Sequence, residues 1–334
     1  MELIECVPNI SEGCNSELIE QIAKVISSVS GVKLLHIDAG KAANRTVYTF
    51  VGFPESVVEA AFNMFEFVIK HIDMAQHTGT HPRIGAVDVC PLIPIQGISL
   101  EQTKQYAEQL AKRVGEELHV PVYLYEQNAK YIHRTRLEQI RSGEYEGFSQ
   151  KMQSEGWDPD YGPHVFNPKT GASVIGARNF LLAYNINLVS SDVTIAKHIA
   201  ARIRESGGNY TDMFGKKHVS KGLLRGVKAI GWYIPEYDVV QVSTNITDFN
   251  LVSMYKVYCE VQKLAIQYGT NVRGSELIGL VPYDALHNAG KEILQQKPSV
   301  ANDTIQAAIQ ELGLQDVKEF TPQKQILEYV AGVL

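Results

Sequence analysis

Several features are missing from this chain, and each absence removes a class of function. Nowhere do eighteen or so apolar residues run together, so no membrane-spanning helix is expected. There is no basic block, no interleaving of aromatics with lysine and arginine, and no zinc-finger spacing, which argues against a nucleic-acid partner. The cysteines, Cys6, Cys14, Cys90 and Cys259, are scattered and form no CxxC pair; they read as reduced thiols of a cytoplasmic protein. No GxGxxG follows the first strand pattern and no GxxxxGK-S/T occurs, so neither a dinucleotide nor a nucleotide-phosphate loop is supported. The opening residues, MELIECVPNI, carry neither a basic region nor a long apolar run, so no signal peptide is expected.

What remains is 334 residues of ordinary globular composition, with 45% hydrophobic residues and a formal net charge of -6. That length suggests two subdomains, because single cores rarely grow so large. Strand patterns fall at 3–8, 32–38, 46–53, 84–95 and 120–126, and helical stripes at 16–29, 54–71 and 99–118. Ser99 and Gln102 make a capping box. The order strand, helix, strand, strand, helix, strand, helix, strand predicts a split β-α-β layout of the α+β type, a mixed sheet covered by helices on one face. The segment 127–171 is too long for a simple connection and reads as a lid or a structured link. From 172 the strand patterns restart, as two strands or one bent strand to 188. The later ones include a pair over 222–247 turning near Pro235 and Glu236, and helices follow at 192–204, 250–267 and 284–295. Residues 299–334 read as small closing helices. The expected subdomains are 1–171 and 172–334.

The richest stretch is HTGTHPRIGAVDVCP, 77–91. Pro82 biases His81 away from helical geometry. Arg83 offers a fork of donors to a carboxylate or phosphate. Asp88 is the one charge in a buried run and needs a histidine or arginine partner. His81 is the leading acid–base candidate, since imidazole titrates near pH ~6.5, with Asp38 or Asp88 to orient it. The bland alternative is that His81 holds a turn and Arg83 makes a structural ion pair. His77 and His81 could also ligate a metal with Asp38 or Asp88, but position 78 is Thr rather than the Glu of a zinc-protease helix, and Gly79 and Pro82 oppose a helix. Asn9, Asn44, Arg45 and Tyr48 fall near strand ends and suit a ligand rich in carboxylates and amides, or else simply hold turns. Gly162, Gly176 and Arg178 either let the chain approach a ligand closely or punctuate loops.

The pieces ECVPNISEG (5–13), the strand end at Asp38, TGTHPRIGAVDVCPLIP (78–94), WDPDYGP (157–163), TGASVIGARNFLLAYNINL (170–188) and GLLRGVKAIGW (222–232) together resemble the formiminotransferase family. The resemblance implies two α/β subdomains whose mixed sheets face each other across a substrate groove. It implies transfer of a formimino group from N-formimino-L-glutamate to tetrahydrofolate as co-substrate, late in histidine degradation, by a homodimer that needs neither metal nor nucleotide. The family's catalytic histidine falls on His81, and Asp38 matches its assisting acid. Arg83, Arg45 or Arg178 would pair with substrate carboxylates. Because the sequence stops at Leu334, a separate cyclodeaminase would be expected to close the ring. Action on 5-formyltetrahydrofolate, or folate binding without catalysis, are the rival readings.

Overall fold

The computed structural model describes residues 2–41, 43–79, 81–234 and 237–332. The chain divides into two compact units, the first running to Asn179 and the second beginning at Phe180.

The first unit is built on one sheet of β1 (Leu3–Cys6), β2 (Asn9–Ile10), β3 (Val32–Gly40), β4 (Arg45–Gly52), β5 (Val87–Gln96), β6 (Val122–Leu124) and β7 (Ser173–Ala177). β3 is the edge and pairs with β4; β1 and β2 lie between β4 and β5; then come β7 and β6. β7 runs parallel to both its neighbours and the other pairs are antiparallel, so the sheet is mixed. Helices α1 (Ser16–Ser27), α2 (Pro54–His71) and α3 (Leu100–Glu117) cover one face. Each starts where the sequence dictates. Asn15 caps α1 by accepting from the Leu18 amide, Pro54 opens α2, and both bonds of the Ser99–Gln102 capping box are made at α3. Ile4, Cys6, Ile10, Tyr48, Phe50 and Leu92 pack against the apolar stripes of these helices.

The apolar run of β5 has a physical cause: the strand is covered on both sides. Cys90 and Leu92 face the helices. Val89 joins a second small core with Tyr123, Phe148, Met152 and Val174. That core is closed by α4 (Leu137–Arg141) and α5 (Glu144–Met152).

The sequence left 172–188 open between one bent strand and two. There are two, in different sheets: β7 and, in the second unit, β8 (Leu182–Leu188). β7, placed by the sequence at the start of the second half, is hydrogen-bonded between β5 and β6 of the first sheet, with Val89 opposite Val174. The turn expected at 9–13 begins as the short strand β2, whose Asn9 lies opposite Val47 and Val89.

The second unit continues with α6 (Val193–Ile203), β9 (Gly208–Thr211), β10 (Lys217–Ser220), β11 (Val227–Ile234), β12 (Val239–Ile246), α7 (Met254–Gln267), β13 (Val272–Ile278), α8 (Tyr283–Gln296), α9 (Thr304–Glu311), α10 (Pro322–Gln325) and α11 (Leu327–Ala331). Its main sheet, ordered β11-β12-β8-β13, is antiparallel throughout, and α6, α7 and α8 bury its apolar face. The turn expected at Pro235 and Glu236 lies outside the described residues. β9 and β10 form a separate hairpin that sequence patterning did not anticipate. Among the described residues, no helix is long and apolar enough to cross a membrane.

The 127–171 segment is ordered by a buried arginine. Arg134 donates from Nη1 to Asp160 Oδ2 at 3.3 Å, and from Nη2 to the carbonyls of Asp158, at 2.7 Å, and Gly156. Its guanidinium stands 4.7–5.5 Å from the ring centroids of Tyr123, Tyr131 and Trp157. Asp160 in turn accepts from the Leu124 amide. Arg134 and Asp160 side chains are 1% and 3% exposed, so removing the arginine leaves a buried carboxylate with only the longer 3.7 Å contact to Lys130. Arg134→Ala is expected to cost the first unit about 3–5 kcal/mol in urea unfolding; a loss below about 1 kcal/mol, the surface-pair range, would show that the arginine is peripheral.

Candidate functional site

The site grows from three chain segments forced together on the sheet face opposite the helices. Residues 9–13 leave β2 and pass under the turn that joins β3 to β4. A side chain on Gly13 would overlap the Gly40 carbonyl and the Arg45 backbone, so only glycine permits this approach. Residues 77–79 lie against the same turn, where a side chain on Gly79 would overlap the Ala43 carbonyl. Asn44, the last residue of the turn before β4, adopts a left-handed conformation with φ 46°. Its Oδ1 accepts from the Gly13 amide at 2.9 Å. Its Nδ2 donates to the Thr78 carbonyl at 2.9 Å. Its own carbonyl is 2.8 Å from His77 Nε2. Asparagine tolerates this backbone region better than other residues that carry a side chain.

This clamp delivers His81 beside Arg45, the first residue of β4. Arg45 Nη1 reaches His81 Nε2 at 2.7 Å and Asn9 Oδ1 at 2.9 Å. A guanidinium has only donors, so Nε2 must accept, and the ring proton sits on Nδ1. Nδ1 is 2.7 Å from the Pro82 carbonyl, an acceptor, which fits that tautomer. Partial burial holds the His81 pKa below the ordinary imidazole value, and the nearby charges of Arg45 and Arg141 push it the same way. His81 is therefore a neutral base at pH 7 with its reactive lone pair on Nε2.

Arg141 was not singled out from the sequence. It comes from α4 and grips Asp88 Oδ2 through Nε, at 3.0 Å, and Nη2. Asp88 Oδ1 accepts from the Ile84 amide at 2.9 Å. The lone charge in the β5 run thus finds an arginine, one of the two partner types anticipated. Only its position, 53 residues on, was hidden.

Other expected site residues are placed elsewhere. Arg83 is buried and bound by Glu146 at 2.5 and 2.9 Å and Glu144 at 3.3 Å, and its Nε donates to His77 Nδ1. The hydrogen bond from Arg83 is the main reason Glu146 titrates below the usual carboxylate range. Beside them lies a surface cavity of about 560 Å³, which Arg83 lines with both glutamates. Tyr48 is fully buried on the helix side, donating to the Ile19 carbonyl. Asp38 lies on the exposed edge strand β3, opposite Val47, on the same face as Arg45, whose charge its field supports. Both ring nitrogens of His81 are taken by other groups. Gly162 packs its backbone against Val120 and Gly115, and Gly176 against Tyr125. Arg178 follows β7 and donates to the Asn179 carbonyl. Among the described residues, no group of three or more His, Cys, Asp or Glu is placed to hold a metal.

The structure thus sets a neutral imidazole beside a guanidinium that donates to its lone pair. Residues 3–178 match the formiminotransferase domain, N-terminal subdomain, and residues 183–332 match the formiminotransferase domain. The chain is 44% identical over 332 residues to a formimidoyltransferase-cyclodeaminase of Gallus gallus, which covers 98% of this chain but 60% of that protein. It is 40% identical over 297 residues to a glutamate formimidoyltransferase of Thermoplasma acidophilum, covering 88% of this chain and 93% of that one. A glutamate formimidoyltransferase of Streptococcus pyogenes serotype M1 is 38% identical over 294 residues, with 88% and 94% covered. The chain belongs to the formiminotransferase domain family. It spans 60% of the length of the formimidoyltransferase-cyclodeaminases it matches.

Asn44 holds two of the three segments to the turn. Asn44→Ala is expected to lose about 1–3 kcal/mol of stability and to speed hydrogen exchange at Gly13 and across 77–83. Unchanged exchange there would show that the loop is held by other contacts.

Proposed function

We propose that the chain transfers the formimino group of N-formimino-L-glutamate to tetrahydrofolate, giving 5-formiminotetrahydrofolate and glutamate. The observation that carries this reading is the unprotonated Nε2 of His81, set beside an arginine suited to a substrate carboxylate. In this reading N5 of tetrahydrofolate attacks the formimino carbon and a new N–C bond forms. The N5 proton passes to His81 Nε2. The tetrahedral adduct then expels the glutamate nitrogen, its C–N bond breaks, and Nε2 returns the proton to that nitrogen. One imidazole serves as base and then as acid. The imidazolium that exists between the two steps lies in the fields of Asp88 and, through Arg45, of Asp38. Holding both substrates together supplies a further part of the rate. Asn9, bonded to Arg45, fixes the guanidinium's other side. The protein is proposed to act as a cytoplasmic homodimer, with a separate cyclodeaminase consuming its product.

Replacing His81 by Asn is expected to lower turnover about 10²–10⁴-fold while leaving folate affinity within a few-fold, read by the absorbance of the formimino product and by titration of a folate analogue. Turnover within a few-fold of the parent, in a folded variant, would remove His81 as the proton carrier. Because the base must be unprotonated and burial holds its pKa below that of an ordinary imidazole, kcat/KM should fall on the acid side only below about pH 6.5.

A further inference from the structure

Three arginines surround this site, and they differ in what neutralises them. Arg83 has Glu144 and Glu146, and Arg141 has Asp88. Arg45 has no carboxylate within ion-pair distance among the described residues; the side-chain partners of its Nη1 are the neutral Asn9 amide and the neutral His81 ring. Burial lowers its pKa, and the Arg141 charge adds to that. A half-buried guanidinium left with neutral acceptors is a charge awaiting an anion. Yet the lone pair it occupies is the one the reaction needs, because Nδ1 carries the proton. The resting arrangement therefore blocks the base it adjoins.

We infer that Arg45 is a substrate-released latch: it caps His81 Nε2 in the empty protein, and a substrate carboxylate draws the guanidinium away and frees the lone pair. This deepens the reading of His81 as proton carrier and rests on it. The exchange is downhill for a simple reason. A carboxylate offers the guanidinium two parallel bonds to an ionised acceptor in matching fork geometry, where Arg45 now has only neutral acceptors. The ligand class is a glutamate-like dicarboxylate. Freeing the base only when a carboxylate is bound would restrict proton transfer to the intended donor. Arg45 is thus a binding and positioning residue whose release is coupled to the first proton transfer.

The charged groups that act on His81 are Arg45 from β4, Arg141 from α4 and Asp88 from β5, with Asp38 of β3 acting on Arg45. Binding of an anion to Arg45 cancels one of the two cationic influences, so the imidazole should become more basic when the site fills. The test is a pH titration of the His81 ring by NMR on ring-labelled full-length protein, with and without saturating glutarate or L-glutamate, His81→Asn providing the assignment. The parent is expected to titrate below pH 6.5 without ligand and to move upward by several tenths of a unit or more with glutarate. Arg45→Gln should already titrate higher and not respond; Arg45→Lys should respond weakly, since an ammonium lacks the fork. An unmoved parent titration in the presence of glutarate, or an Arg45→Gln protein that titrates and responds as the parent does, overturns the latch. The parent measurement alone decides if the variants do not fold. Formimino transfer assayed on the same preparation separates the two levels. Transfer without any titration response sinks the latch and spares the proposed function; a full titration response without transfer does the opposite.

Discussion

The backbone turn at Asn44 is the constraint on which the site depends. Asn44 there spends its side-chain amide and its carbonyl on two other segments, and Arg45 follows as the first residue of β4. The strand's register then decides the faces. Arg45 and Val47 point away from the helices, while Tyr48 and Phe50 point into them. Shifting this register by one residue would bury the guanidinium among the helices and expose the tyrosine. The placing of Arg45 beside His81 is therefore set by a turn and a pairing register.

The distribution of charge follows the same economy. The buried arginines of the 77–171 stretch have carboxylate partners: Arg134 has Asp160, Arg141 has Asp88, and Arg83 has Glu144 and Glu146. Arg141–Asp88 and Arg83 with its glutamates staple the 127–171 segment to residues 83–88, whereas Arg134 and Asp160 both lie within the segment and tie it to itself. Arg45 alone among these arginines is left with neutral partners. The contrast is informative because unmatched buried charge is costly. A fold that neutralises three arginines and leaves the fourth on an imidazole lone pair has placed its electrostatic strain at the Arg45–His81 contact.

The helices and most strands were legible because their causes are local. Asn15, Pro54 and the Ser99–Gln102 box announce helix starts, and the apolar stripes fix faces. The β9–β10 hairpin was not, because its strands are short and partly exposed, with no apolar alternation to read. Within the site, the stretch 77–91 stood out by composition, and Asp88 announced that it needed a cation. Which arginine would answer depended on tertiary structure that no spacing encodes. Tyr48 illustrates the opposite failure: a tyrosine near a strand end suits a ligand as well as a core, and only the face it takes tells them apart. Asn44 and Arg45 are adjacent and were grouped together, yet one holds a turn and the other faces the reacting ring.

The 127–171 segment was read as a lid or a structured link, and the energetics distinguish the two. A lid must leave at low cost, so it makes few buried contacts. Here Arg134 is sealed among three aromatic rings, and Lys151 donates to the carbonyls of Gln139, Ile140 and Ser142 at the end of α4. Burial lowers the Lys151 pKa to about 8, which sets a cost on that cap that only its three acceptors offset. Phe148 and Met152 fill the small core beneath. Lifting this segment away would withdraw Arg141 from Asp88, at several kcal/mol for a buried pair. Opening would also remove a positive neighbour from His81. The segment thus supports the site from behind and helps keep its base neutral, and any motion that admits substrate must come from elements less firmly held.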